Sequence, residues 1–131
     1  LAHGGLTTLG ANVFSMGIAG PIAAYAIYRA GIRMGANTYA TVFAAAALAD
    51  ITTYTVTSIQ LALAFPGTTG FFGAFTTFAA IFAITQIPLA IIEGAVIMLV
   101  FKYIVELKPD ILMRLNLLSE STIRKLREAP A

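Results

Sequence analysis

The chain has 131 residues, of which 59% are hydrophobic and 11% charged, with a formal net charge of +2 and no cysteine. Its mean hydropathy is +0.87, and soluble domains carry about 25% charged residues, so the composition excludes a soluble globular domain and describes an integral membrane protein. The length allows about three spans of roughly 20 apolar residues; the missing thiols remove thiolate ligands and disulfides from consideration, and the small net charge implies no nucleic-acid partner.

The chain begins at Leu1, with no basic region ahead of an apolar core and cleavage site. That pattern is not a signal peptide, and the expectation is the later part of a longer membrane protein, or one piece of a chain whose earlier part is supplied separately. The glycine-rich run His3-Gly4-Gly5-Leu6-Thr7-Thr8-Leu9-Gly10 suits a loop or an irregular helix start. A first span is expected from about residue 12 to 28, closed by Arg29 and Arg33. Within it Asn12, Ala19, Ala23 and Ala26 form a small-or-polar stripe.

The second span runs from about residue 39 to 65 and ends in the uncharged turn Phe65-Pro66-Gly67-Thr68-Thr69-Gly70. Asp50, Thr53, Thr57 and Gln60 recur at helical spacing, which puts one polar stripe on a helix that is otherwise apolar. The third span runs from about residue 71 to 105. Pro88 lies in its middle, so a tilt, a kink or a division into two short helices is expected. Ala79, Ala83, Gln86, Ala90 and Glu93 make its comparable stripe. The three stripes are expected to pack together in one bundle interior.

Arg29 and Arg33 follow the first span and Lys102, Lys108 and Arg114 follow the third, whereas the connection between the second and third has no basic residue. Basic flanks stay in the cytoplasm. This places the C-terminal tail inside and the His3 end outside, in a multi-pass protein of the cell membrane. The tail, residues 106–131, opens with Pro109 and Asp110, which suit a helix's first turn; Ile111, Leu112, Leu115 and Leu118 offer an apolar face. A helix on the membrane surface and a docking helix for a partner are both compatible with it.

From Met34 to Phe101 the only formal charges are Asp50 and Glu93. A charge inside a span costs roughly 2.5–3.5 kcal/mol on insertion scales, so it persists where it faces protein or a watery path. Asp50 reads either as a structural acid capped by Thr or Tyr hydroxyls, or as a counter-ion or relay. Glu93, beside Gly94, reads as holding a partner's Arg or a backbone amide at a subunit contact in preference to a transported ion. His3 is the sole imidazole, and a metal site normally needs three or four ligands, so spacing alone favours a helix-end hydrogen bond for it. No nucleophile with a matching base, no phosphate-cradling loop and no two-His helix pair occurs in the sequence. The expectation is a protein that is not an enzyme and holds no permanent cofactor.

Three runs, in order, resemble one family. They are HGGLTTLGANVFSMGIAGP (His3 to Pro21), TSIQLALAFP (Thr57 to Pro66) and FAITQIPLAIIEG (Phe82 to Gly94). They are similar to segments of the CbiM/NikM family, the substrate-capturing membrane subunits of energy-coupling-factor transporters for cobalt and nickel. The resemblance implies an all-α, polytopic transmembrane bundle of six or seven helices, of which this chain holds the later ones. It further implies capture of Co²⁺ or Ni²⁺ from the outside, with imported cobalt serving cobalamin biosynthesis. The implied partners are a transmembrane coupling subunit, paired ATP-binding cassette ATPases that hydrolyse the ATP, and a small accessory membrane subunit.

In that family the metal is held by the amino terminus, the His after the initiator Met and a His in a Ser-His-Pro-Thr-Gly loop. None of these motifs occurs in the present sequence, so the resemblance carries no direct ligand over to it. His3, Gly4, Gly5 and Asn12 are left to line or support the site. Two other classes stay open: an ion- or proton-coupled carrier using Asp50 and Glu93, and a structural membrane subunit whose polar stripes join helices.

Overall fold

A computed structural model of the chain describes residues 5–128, and every regular element in that range is helical. The first rod begins as a 3-10 turn at Gly5–Thr8, passes through one α-turn (α1, Leu9–Asn12) and a π-helical stretch at Val13–Ala19, and continues as α2 (Gly20–Arg33). It is helical beyond both ends of the expected span. α3 (Thr38–Ala64) and α4 (Gly70–Leu107) follow as single helices, and two short helices, α5 (Pro109–Arg114) and α6 (Glu120–Glu128), close the chain. The rod Leu6–Arg33, α3 and α4 are each long and apolar enough to cross a membrane.

Local chemistry sets the boundaries. α2 stops at a left-handed residue, Gly35 (φ +72°), where Ala36 N–H donates to Gly31 and Gly35 N–H to Ile32, satisfying carbonyls that the helix end leaves open. Asn37 then caps α3, its side-chain oxygen accepting from Ala40 N–H at 3.1 Å. Gly67 and Gly70, both at positive φ, turn the chain into α4. α4 continues through Pro88 as one helix of 38 residues. The option of two short helices is thereby set aside: on both sides of Pro88 the chain is apolar and seated on α3, so the loss of one backbone bond does not end it.

α3 lies in the centre. The first rod packs on one side of it and α4 on another, while α2 and α4 make little contact with each other. The expected single interior is therefore two separate seams. In the α2–α3 seam two glycine–threonine pairs set the approach: a Cβ on Gly20 would lie 2.6 Å from Thr53 Oγ1, and one on Gly31 would lie 2.5 Å from the Thr41 methyl. In the α3–α4 seam the close point is Gly94, where a Cβ would stand 3.0 Å from the ring and the carbonyl oxygen of Phe43. Small residues at such crossings let backbones approach within van der Waals range, the main source of helix attraction in lipid.

The tail folds back on the bundle. Leu112, Leu118 and Ile123 are buried with Val105 of α4, and Ile32 and Phe101 flank them. Ile111 and Leu115, expected on the same face as Leu112 and Leu118, are exposed. α5 ends after Arg114 and the chain turns through left-handed Asn116 (φ 52°), so the helical spacing does not carry through to Leu118, which reaches the buried cluster from beyond the break. All eight Lys and Arg residues lie at the ends of α2 and α4 or in the tail. The molecule has one basic end and one charge-poor end.

Candidate functional site in the helical rod and the acidic cleft

Of the residues expected at the site, His3 and Gly4 lie outside the described range; Gly5 begins the 3-10 turn. Asn12 closes α1, its side-chain amide donating to Thr8 Oγ1 at 3.4 Å. Beyond it the backbone widens into the π-helical stretch, whose end is closed by Gly20 N–H donating to Ser15 O five residues back. Side-chain donors add to the backbone bonds at its start and within it. Gln60 Nε2 on α3 donates to Ala11 O at 3.2 Å, and the Ser15 hydroxyl donates to the same oxygen at 3.1 Å. Thr53 Oγ1 reaches Ser15 O at 3.4 Å and Ala49 O at 3.0 Å. Ser15 is 1% exposed, so these bonds sit in the interior.

The polar stripe of the second span thus splits by function. Thr53 and Gln60 brace the first rod, whereas Thr57 turns its hydroxyl back to Thr53 O at 2.9 Å. Asp50 lines a cleft of about 370 Å³ with Glu93, Tyr54 and the small residues Gly20, Ala24 and Ala49, and Thr53 borders the same cleft. Its Oδ2 is buried and has no hydrogen-bond partner among the described residues. Glu93 is exposed on the α4 wall, and its neighbour Gly94 is the residue that packs into the seam. On the other side of Tyr54 a pocket of about 110 Å³ holds Ser58 and Gln86, and Gln86 Oε1 is likewise buried without a partner.

Ser15, Tyr54 and Ser58 did not stand out in the sequence. Tyr54 and Ser58 follow Asp50 at steps of four, the alternative helical row to the one through Thr53, Thr57 and Gln60. Both rows are polar, and they face different neighbours. Among the described residues no group of three or more His, Cys, Asp or Glu side chains comes together in a way that could hold a metal ion. Two carboxylates and a phenol can accept or donate hydrogen bonds and carry a proton, but they are too few to strip the hydration from a divalent cation.

Three apolar helices with a braced irregular entry and two carboxylates lining one cleft define a polytopic helical membrane protein. Its kind is settled by comparison: the family described as CbiM, cobalt uptake substrate-specific transmembrane region, matches residues 1–111, and the chain belongs to it. CbiM 2 of Methanosarcina barkeri is 59% identical over 136 residues, covering 100% of this chain and 58% of that protein. CbiM 1 of Methanosphaerula palustris is 56% identical over 98% of this chain and 56% of that protein. The cobalt transport protein CbiM of Streptomyces coelicolor is 52% identical over 100% of this chain and 57% of its own length. The chain therefore spans somewhat more than half the length of these relatives.

Proposed function

We propose that the chain provides later membrane helices of the substrate-capturing subunit of an energy-coupling-factor importer, with Co²⁺ or Ni²⁺ as the cargo. ATP hydrolysis belongs to partner ATPases, linked through a transmembrane coupling subunit and a small accessory membrane subunit. The observation that carries this reading is the bracing of the first rod by Gln60 and Thr53, in a chain whose family is the cobalt-uptake transmembrane region. The braced stretch leads to the charge-poor end, which the distribution of Lys and Arg assigns to the outside of the cell membrane, and the basic tail lies in the cytoplasm.

In this reading the direct metal ligands come from outside this chain. Gly4, Gly5 and Asn12 line the site with His3 in support, and the π-helical stretch follows directly on Asn12. A fixed arrangement of nitrogen donors is the means by which a site selects Ni²⁺ or Co²⁺, because raw affinity would favour Cu²⁺. The test is accumulation of radiolabelled cobalt and nickel in cells carrying the complete transporter. Deletion of this segment is expected to abolish accumulation, and unchanged accumulation overturns the reading. In the same assay His3→Ala lowers uptake modestly at an unchanged protein level.

One observation favours a second reading. Asp50 and Glu93 line one cleft, as a relay in an ion- or proton-coupled carrier would require. Uptake that collapses with the proton gradient and survives ATP depletion would select it over the importer.

A further inference from the structure

α2 and α4 stand on either side of α3 and leave a trough between them. Near the middle of α3 the trough is the acidic cleft. Toward the basic end it continues as an apolar groove of about 370 Å³ reaching Phe101 and Leu117, and the two parts share Pro21, Ala24, Ala46 and Ile97. At that end the Tyr28 and Phe101 rings, 6.5 Å apart, close it.

We propose that this trough seats a further transmembrane helix that carries a hydrogen-bond donor level with Asp50. Its source is the part of the subunit that the relatives carry and this chain does not span. Acyl chains would suit the apolar half but would leave two carboxylates against hydrocarbon, which lipid disfavours. A helix meets both halves. The wall residues Gly20, Ala24, Ala46 and Ala49 are small, so a second backbone can come close. The buried Asp50 Oδ2 lacks a donor among the described residues, and a Lys, Arg, amide or hydroxyl side chain supplies one. The relatives provide the material, since this chain spans only 58% of the Methanosarcina barkeri protein. The proposal rests on family membership and not on the identity of the cargo.

The chain has no cysteine, which makes cross-linking in membranes direct. In the subunit at the full length of its relatives, with native thiols removed elsewhere, Ala46→Cys is paired with single cysteines scanned along the upstream spans. Oxidation is expected to link Ala46→Cys to one upstream helix at every third or fourth position. Ala24→Cys, on the α2 wall, provides the second reading where the first variant folds poorly. Replacing the donor that these links place level with Asp50 by Leu, and Asp50 by Leu, should each lower Tm, with the double variant no worse than the worse single one. Links to a separate polypeptide, free modification of Ala46→Cys by a lipid-soluble maleimide, or additive losses in the double variant would each overturn the proposal. None of these readouts involves metal uptake, so failure here leaves the importer reading to its own test.

Discussion

At the scale of single residues, glycine and threonine decide how closely the spans approach. Gly94 faces the Phe43 ring and carbonyl oxygen at the distance where a methyl group would have to push backbone aside. Gly94→Ala is therefore expected to destabilise the α3–α4 seam by about 1–3 kcal/mol, the range for overpacking. Gly10, where nothing lies within 4 Å of an added Cβ, is the control. Thermal unfolding of the two purified variants in detergent should show a lower Tm for Gly94→Ala alone. The reading from sequence named Glu93 and not Gly94 in the packing stripe of this helix. The two differ by a rotation of about 100° around an α-helix, and in a helix that is apolar all round no neighbouring residue tells them apart.

At the scale of elements, the first rod is the informative one. A glycine-rich start suggested irregular backbone, and the structure specifies its form: a 3-10 turn, one α-turn and a π-helical stretch before α2 begins. Donors on α3 reach a carbonyl just before the π-helical stretch, Ala11 O, and one within it, Ser15 O. Gln60→Leu removes the α3 donor to Ala11 O while keeping a side chain of similar bulk; the Ser15 hydroxyl still donates to that oxygen, so the cost is that of one hydrogen bond, about 0.5–1.5 kcal/mol. Faster amide hydrogen exchange within residues 9–19 is expected, together with lower cobalt accumulation at an unchanged protein level. Unchanged exchange would show that the π-helical stretch holds without α3.

At the scale of the whole molecule, the tail joins spans that otherwise stand apart. Tyr28 of α2 donates its hydroxyl to Leu117 O at 3.1 Å, and Leu112, Leu118 and Ile123 pack under Val105 of α4. The C-terminal residues thus connect α2 and α4 at the basic end. Leu112, 2% exposed, is the anchor. Leu112→Ala should cost about 2–5 kcal/mol, whereas Tyr28→Phe, which removes one hydrogen bond, should cost about 0.5–1.5 kcal/mol. Thermal unfolding of the single variants ranks them, and equal effects would refute the packing account of the tail.

The number of spans, their order, the basic and charge-poor ends and the three family segments were all legible in the residues themselves. Each is local: the free energy of placing a segment in lipid is close to a sum over its side chains, and family motifs are contiguous runs. Only the tertiary structure decided that α3 is central, that Thr53 and Gln60 reach the first rod while Asp50 and Tyr54 line the cleft, and that the tail folds under the bundle. The physical reason is that lipid is as apolar as a partner helix. Hydrophobicity then says that a segment is buried without saying against what, and that choice falls to close-packed glycines and a few directed hydrogen bonds.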